Sequence, residues 1–136
     1  MGDAGYDSGC FCGGVRYRIT AAPQSSFVCH CVSCRRAAGA QSVAWLTVSS
    51  GDFSFVFGEP VEYRSSPGVT RTFCGGCGTS LTYRHDEDPD SVDVTTASLD
   101  RTDEFPPEYH VWMEDKVGWE SVEDGLPRFQ RGSSAD

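Results

Sequence analysis

The sequence lacks any apolar run long enough to cross a bilayer. In its middle the longest is Val43-Ala44-Trp45-Leu46, against the roughly 20 residues a transmembrane helix needs, so the chain reads as soluble, with no membrane partner. The opening residues MGDAGYDSG hold neither the basic nor the apolar segment of a secretory signal, and a reducing, cytoplasmic setting is the expectation. Basic residues are scarce: eleven Lys and Arg against twenty Asp and Glu leave a net charge of −9, and the only basic doublet is Arg35-Arg36. A phosphate backbone repels such a chain, which argues against a nucleic-acid partner. No repeat of solenoid length and no shift of composition divides the sequence. One domain over residues 1–130 is expected, followed by a disordered tail at 131–136.

Cysteine is abundant, with seven in 136 residues. In a reducing compartment clustered cysteines serve more often as metal ligands or reactive thiols than as disulfide partners. An odd number would also leave a disulfide framework with one thiol unpaired, whereas four plus three divides into a closed and an open metal site. The spacings are Cys10-x-Cys12, Cys29-x-Cys31-x2-Cys34 and Cys74-x2-Cys77. Two thiolates from one tight turn reach one zinc ion with little loop entropy. Cys12 is followed by Gly13-Gly14, and Cys74 and Cys77 are interleaved with Gly75, Gly76 and Gly78, which lets backbone amides turn toward sulfur.

Glycine placement thus favours a closed site from Cys10, Cys12, Cys74 and Cys77, leaving Cys29, Cys31 and Cys34 as a trio with one exchangeable position, the pattern of catalytic zinc. A rival partition pairs Cys31 and Cys34 with Cys74 and Cys77 as a zinc ribbon, although its gap is wider than is usual for that motif. The trio also admits closure by His30, His85 or His110 as a fourth ligand, with His30 the weaker candidate because it points away from its neighbours in an extended segment and His110 kept open, or use as a metal-free redox thiol group. Arg35 and Arg36 beside it are candidates for holding a substrate carboxylate.

Alternation of apolar and polar residues recurs in short bursts: Val15, Tyr17 and Ile19; Phe53, Phe55 and Phe57; Val61 and Tyr63; Leu81 and Tyr83; Val92 and Val94; Tyr109, Val111 and Met113. Turn signals such as Gly58-Glu59-Pro60 and Ser66-Pro67-Gly68 separate them. This predicts a mostly β chain of antiparallel strands, with one short helix near 33–38, Ser33 as its N-cap and Gly39 as its stop. Trp112 and Trp119 read as core aromatics.

Four stretches in order, SGCFCGGVRY at 8–17, CHCVSCRRAAGA at 29–40, RTFCGGCGTSL at 71–81, and HVWMEDKVGW with DGLPRF between 110 and 129, resemble the glutathione-dependent formaldehyde-activating enzymes, a family that includes the centromere protein V-like proteins. The resemblance implies a compact fold of several short coiled antiparallel sheets, the β-tent type, stapled by two zinc ions. Structural zinc would sit on Cys10, Cys12, Cys74 and Cys77, and catalytic zinc on Cys29, Cys31 and Cys34. The implied activity is that of a carbon-sulfur lyase similar to S-(hydroxymethyl)glutathione synthase, taking a small thiol such as glutathione and a small aldehyde, formaldehyde. The alternative is a zinc-stabilised binding or scaffold module without catalysis.

Overall fold

A computed structural model of the chain describes residues 6–132, so residues 133–136 of the expected tail lie outside the described residues. Among those described, ten strands form two sheets and seven residues form one α-helix. The smaller sheet has the order β1 (Tyr6–Gly9), β2 (Arg16–Ile19) and β5 (Phe53–Phe57). The larger runs β10 (Tyr109–Val111), β3 (Ser25–Cys29), β4 (Val43–Ser49), β9 (Ser91–Thr95), β8 (Ser80–His85), β7 (Val69–Phe73) and β6 (Val61–Ser66). Its pairings are antiparallel except for β10 on β3, which is parallel. No helix among the described residues is long and apolar enough to cross a membrane.

The pleat assigns the two faces of the large sheet different work. On β4 and β9 the even-numbered Leu46, Val48, Val92 and Val94 are almost fully buried, with Leu46 opposite Val94 and Val48 opposite Val92. They pack with Tyr17, Ile19 and Phe53 of the small sheet, with Val15 just before β2, with Leu99, and with Cys10 and Cys74. On β8 and β7 the same face carries Thr82 and Thr72, whose hydroxyls pair at 2.5 Å, so this buried polar pair is satisfied internally. The odd-numbered face looks the other way, onto a cavity. Strand β4 reads as a continuous apolar run because it is covered on both faces.

Several local features differ from the sequence-based expectation. The helix α1 spans Val32–Ala38, and its N-cap is Cys31, whose sulfur accepts from the Cys34 amide; Gly39, at φ 66°, ends it. Ser33 lies inside the helix, because the thiol takes the capping position before the hydroxyl is reached. Strand β10 stops at Val111 because Trp112 adopts φ 59°, and Met113 opens a 3-10 turn rather than extending the strand. Trp119 is 75% exposed, and Val61 and Tyr63 lie exposed on the edge strand β6. Gly58, at φ 71°, is pressed against the turn after β1; a Cβ there would overlap the Gly14 carbonyl oxygen.

Beyond β10 the chain returns along that strand's edge: the His110 amide donates to the Pro127 carbonyl at 2.9 Å, the Phe129 amide to His110 at 2.9 Å, and the Trp112 amide to Arg131 at 2.9 Å. The C-terminal segment is thereby tied to β10 and Trp112 through Arg131. Leu46 is 0% exposed at the centre of the core between the sheets. Leu46→Ala is predicted to lower unfolding free energy by about 2–5 kcal/mol, measured by denaturant titration of the metal-loaded protein.

Candidate metal centres and the cavity beside them

The turn from β1 to β2 carries Cys10 and Cys12, and the turn from β7 to β8 carries Cys74 and Cys77. Their four sulfurs lie within 4.8 Å of one another. The Cys10 and Cys12 sulfurs are 3.7 Å apart, as are those of Cys12 and Cys74. Four thiolates each about 2.3 Å from a central ion form a tetrahedron with edges of about 3.8 Å, so the observed spacing already suits zinc. Backbone amides complete the turns: Val15 donates to the Cys10 sulfur at 3.2 Å, Gly14 to Cys12 at 3.4 Å and Gly76 to Cys74 at 3.3 Å. Gly13 and Gly78 take φ of 79° and 85°, the left-handed conformation such turns require. The Thr79 hydroxyl, 3.2 Å from the Cys77 sulfur, and its backbone hold that thiol down to about 5. Amide and hydroxyl donors around sulfur favour thiolate, the form that ligates metal.

Cys29 ends β3, Cys31 caps α1 and Cys34 lies in its first turn; their sulfurs also gather within 4.8 Å, and no histidine or carboxylate joins them among the described residues. Cys29 and Cys34 are buried and Cys31 partly so. Hydrogen bonds from Cys29 and Cys34 hold the Cys31 thiol down to about 2, and the same contacts push Cys29 far up. Both clusters have the donors to hold a metal ion, and thiolate-rich sets of this kind suit zinc.

The trio lies against a cavity of about 610 Å³, and Cys10, Cys12, Cys74 and Cys77 are not among its walls. That volume falls in the range of small-molecule sites. Phe27, Trp45, Tyr109, Val111 and Trp112 supply apolar wall. Trp112, expected as a core aromatic, lines this space. Arg71 reaches within 4.0 Å of the Cys34 sulfur and lies 5.0 Å from the centre of the Tyr83 ring. Arg35 and Arg36 do not line the cavity; Arg36 is exposed, and Arg35 is near enough to His30 to disfavour its charged form. The guanidinium inside the cavity is that of Arg71, which sequence reasoning missed although it opens the RTFCGGCGTSL motif.

Behind the trio runs a polar chain. His30 is fully buried, and its Nε2 lies 2.9 Å from Nδ1 of His110, whose Nε2 lies 2.7 Å from Asp124 Oδ2. With Asp124 ionised, His110 donates from Nε2, and in the neutral tautomer this leaves Nδ1 to accept from His30. Burial keeps His30 below the usual histidine range, consistent with a neutral ring. The chain ties the segment between Cys29 and Cys31 to the C-terminal wall. Both histidines are occupied with this work, so neither turns to the trio.

A sequence profile of the family described as glutathione-dependent formaldehyde-activating enzyme matches residues 5–115. The chain belongs to this family. A crystal structure of a Rhodobacter sphaeroides protein, a structural-genomics target, superposes with a TM-score of 0.59 at 19% sequence identity, covering 90% of this chain and 98% of that one; at that identity it speaks for the fold alone. Comparison with curated proteins gives no significant match.

Asp93 is the acid that stands out in the cavity wall. It accepts from the Thr47 hydroxyl at 2.7 Å, no Lys, Arg or His pairs with it among the described residues, and burial raises its pKa from 3.8 to about 6. Between those values the folded chain keeps a proton that the unfolded chain has released. The group therefore makes stability fall as pH rises from about 4 to about 6, and the full cost persists above that window. Asn keeps the Thr47 hydrogen bond without the charge. Asp93→Asn is predicted to be more stable than the parent by on the order of 2 kcal/mol at pH 8, with the difference vanishing near pH 4, read from paired denaturant titrations at the two pH values.

Proposed function

We propose that the chain is a zinc-dependent carbon-sulfur lyase that joins the thiol of glutathione to formaldehyde, with Cys29, Cys31 and Cys34 holding the catalytic zinc and Cys10, Cys12, Cys74 and Cys77 a structural one. The observation that carries this reading is the asymmetry of the two clusters: the four-thiol set is complete and turned away from the cavity, while the three-thiol set borders it without a fourth protein ligand among the described residues. A metal with three protein ligands keeps a position for substrate, and a saturated one does not. Family membership names the thiol and the aldehyde. A purely structural role for both clusters would call for a fourth ligand at the trio.

Zinc at the trio would supply a Lewis-acid position that favours thiolate and polarises a carbonyl oxygen. The rest falls to the chain's own side chains. Arg71 sets a positive charge beside Cys34 and so lowers the cost of bringing a thiolate near three others. Phe27, Trp45 and Trp112 give the cavity an apolar wall, beside which electrostatic contacts are stronger than in bulk water. In the reaction the substrate sulfur forms a bond to the aldehyde carbon, the carbonyl π bond opens, and the proton given up by the thiol ends on the former carbonyl oxygen. No electrons are exchanged, so the reaction needs no redox partner. The backbone donor to Cys31, the Cys34 amide at 3.3 Å, keeps the trio in place throughout.

Replacing the metals with cobalt gives each cluster a visible sulfur-to-metal absorption. Adding glutathione is predicted to intensify that absorption in the parent protein and to leave it unchanged in Cys34→Ser. Cys77→Ser is predicted to lose folding stability before thiol response. Absence of any spectral response to glutathione or to any other small thiol would overturn the proposal.

A further inference from the structure

We propose that Asp93 and Arg71 are the two ends of a recognition row for a short zwitterionic peptide thiol, Asp93 taking its primary ammonium and Arg71 its carboxylate. The inference rests on the function proposed above for the place of the thiol, at the cysteine trio.

The row follows from strand register. Thr47 of β4 stands opposite Asp93 of β9, Asp93 opposite Tyr83 of β8, and Tyr83 opposite Arg71 of β7. All four line the same cavity, as the pleat requires of cross-strand partners. An anion and a cation thus face one space with an aromatic ring between them. Their backbones are two strand spacings apart, about 10 Å, and no salt bridge joins them among the described residues.

Nothing else among the described residues neutralises them either. Asp93 bonds to a hydroxyl, and the charge it feels most is that of another carboxylate, Asp88. Two other basic residues of the wall are engaged elsewhere: Arg84 donates to the Ser50 hydroxyl, and His85 accepts from the Glu87 amide through Nδ1. Arg71 touches the Ser65 hydroxyl, the Cys34 sulfur and the Tyr83 ring, with no carboxylate. A carboxylate shielded from water and left without a cation is unfavourable. Its raised pKa records that cost, yet at neutral pH it is mostly ionised. A ligand ammonium meeting Asp93 offsets the cost only when it is bound, the behaviour expected of a recognition group rather than of a structural one.

Spacing selects the ligand class. The charged groups of a single amino acid are about one residue apart, whereas the span of about 10 Å between the strands that carry Asp93 and Arg71 corresponds to about three residues of extended chain at roughly 3.3–3.6 Å each. The row therefore suits a peptide of about three residues with a free amine, better than free cysteine or an uncharged thiol. The adjacent Phe27 and Trp45, cross-strand partners, give its backbone an apolar surface.

The row is tested without the metal-thiol contact by using thioethers. Calorimetric titration of the zinc-loaded protein with S-methylglutathione is predicted to give measurable binding, weakened about tenfold to hundredfold by N-acetylation, the usual worth of a charge-assisted hydrogen bond. S-methylcysteine should bind more weakly than the tripeptide. In Asp93→Asn the penalty for acetylation should disappear, and in Arg71→Gln both peptides should weaken together. Equal binding of the free and acetylated peptides to the parent protein overturns the inference, as does an acetylation penalty that survives in Asp93→Asn. No binding of S-methylglutathione by a protein whose cobalt spectrum responds to glutathione also overturns the row, while leaving the proposed function standing. An amine preference without any cobalt response supports the row and removes the proposed chemistry.

Discussion

Four sulfurs from turns more than sixty residues apart converge within 4.8 Å, and the rest of the arrangement depends on that meeting. The small sheet and the large sheet share a core rather than a hydrogen-bonded edge, and the thiol cluster sits where the β1–β2 turn meets the β7–β8 turn. Removing any one sulfur would loosen both turns. A bound structural ion contributes on the order of 10 kcal/mol in small zinc domains, comparable with the whole stability of a typical domain, so the cluster can hold a sheet whose β6 edge is exposed.

With that corner fixed, the large sheet separates structure from chemistry by parity. Its even face is spent on the core: Leu46, Val48, Val92 and Val94. Its odd face is free to carry Thr47, Asp93, Tyr83 and Arg71 toward the cavity, with the cysteine trio at the border. A one-residue slip in any of these strands would exchange the two faces, which ties the core and the cavity to a single register. Asp93 shows the trade this permits, since its charge lowers stability at neutral pH in a position where it faces the cavity.

The fold class and the local pairs and trio of cysteines were legible because both are written in short-range spacing, whereas the joining of Cys10 and Cys12 to Cys74 and Cys77 rested on the glycines around them. Alternation over a few residues marks a strand, and a C-x-C or C-x2-C pair belongs to one turn whatever the rest of the chain does. The parallel pairing of β10 on β3, and the row that sets Asp93 opposite Tyr83, were not legible. Cross-strand register is a long-range property, and Asp93 sits in the sequence as one acid among many. For the same reason Arg35 and Arg36 drew attention through their adjacency to the trio, while Arg71, distant by 37 residues from Cys34, is the one that reaches its sulfur. The helix cap at Cys31 was hidden because capping preferences favour oxygen side chains, and the end of β10 because nothing in the residue Trp112 announces φ 59°. The His30, His110 and Asp124 chain lay within the recognised motifs, where its members signalled family rather than contact.

The central claim is that one cluster is saturated and the other is not. Zinc analysis combined with X-ray absorption at the zinc edge tests it most directly. Two zinc ions per chain with an average of about 3.5 sulfurs each, falling when Cys34 is replaced by Ser, is the predicted result for one four-sulfur and one three-sulfur site. A single zinc per chain, or two ions whose sulfur average is unchanged in Cys34→Ser, would contradict it.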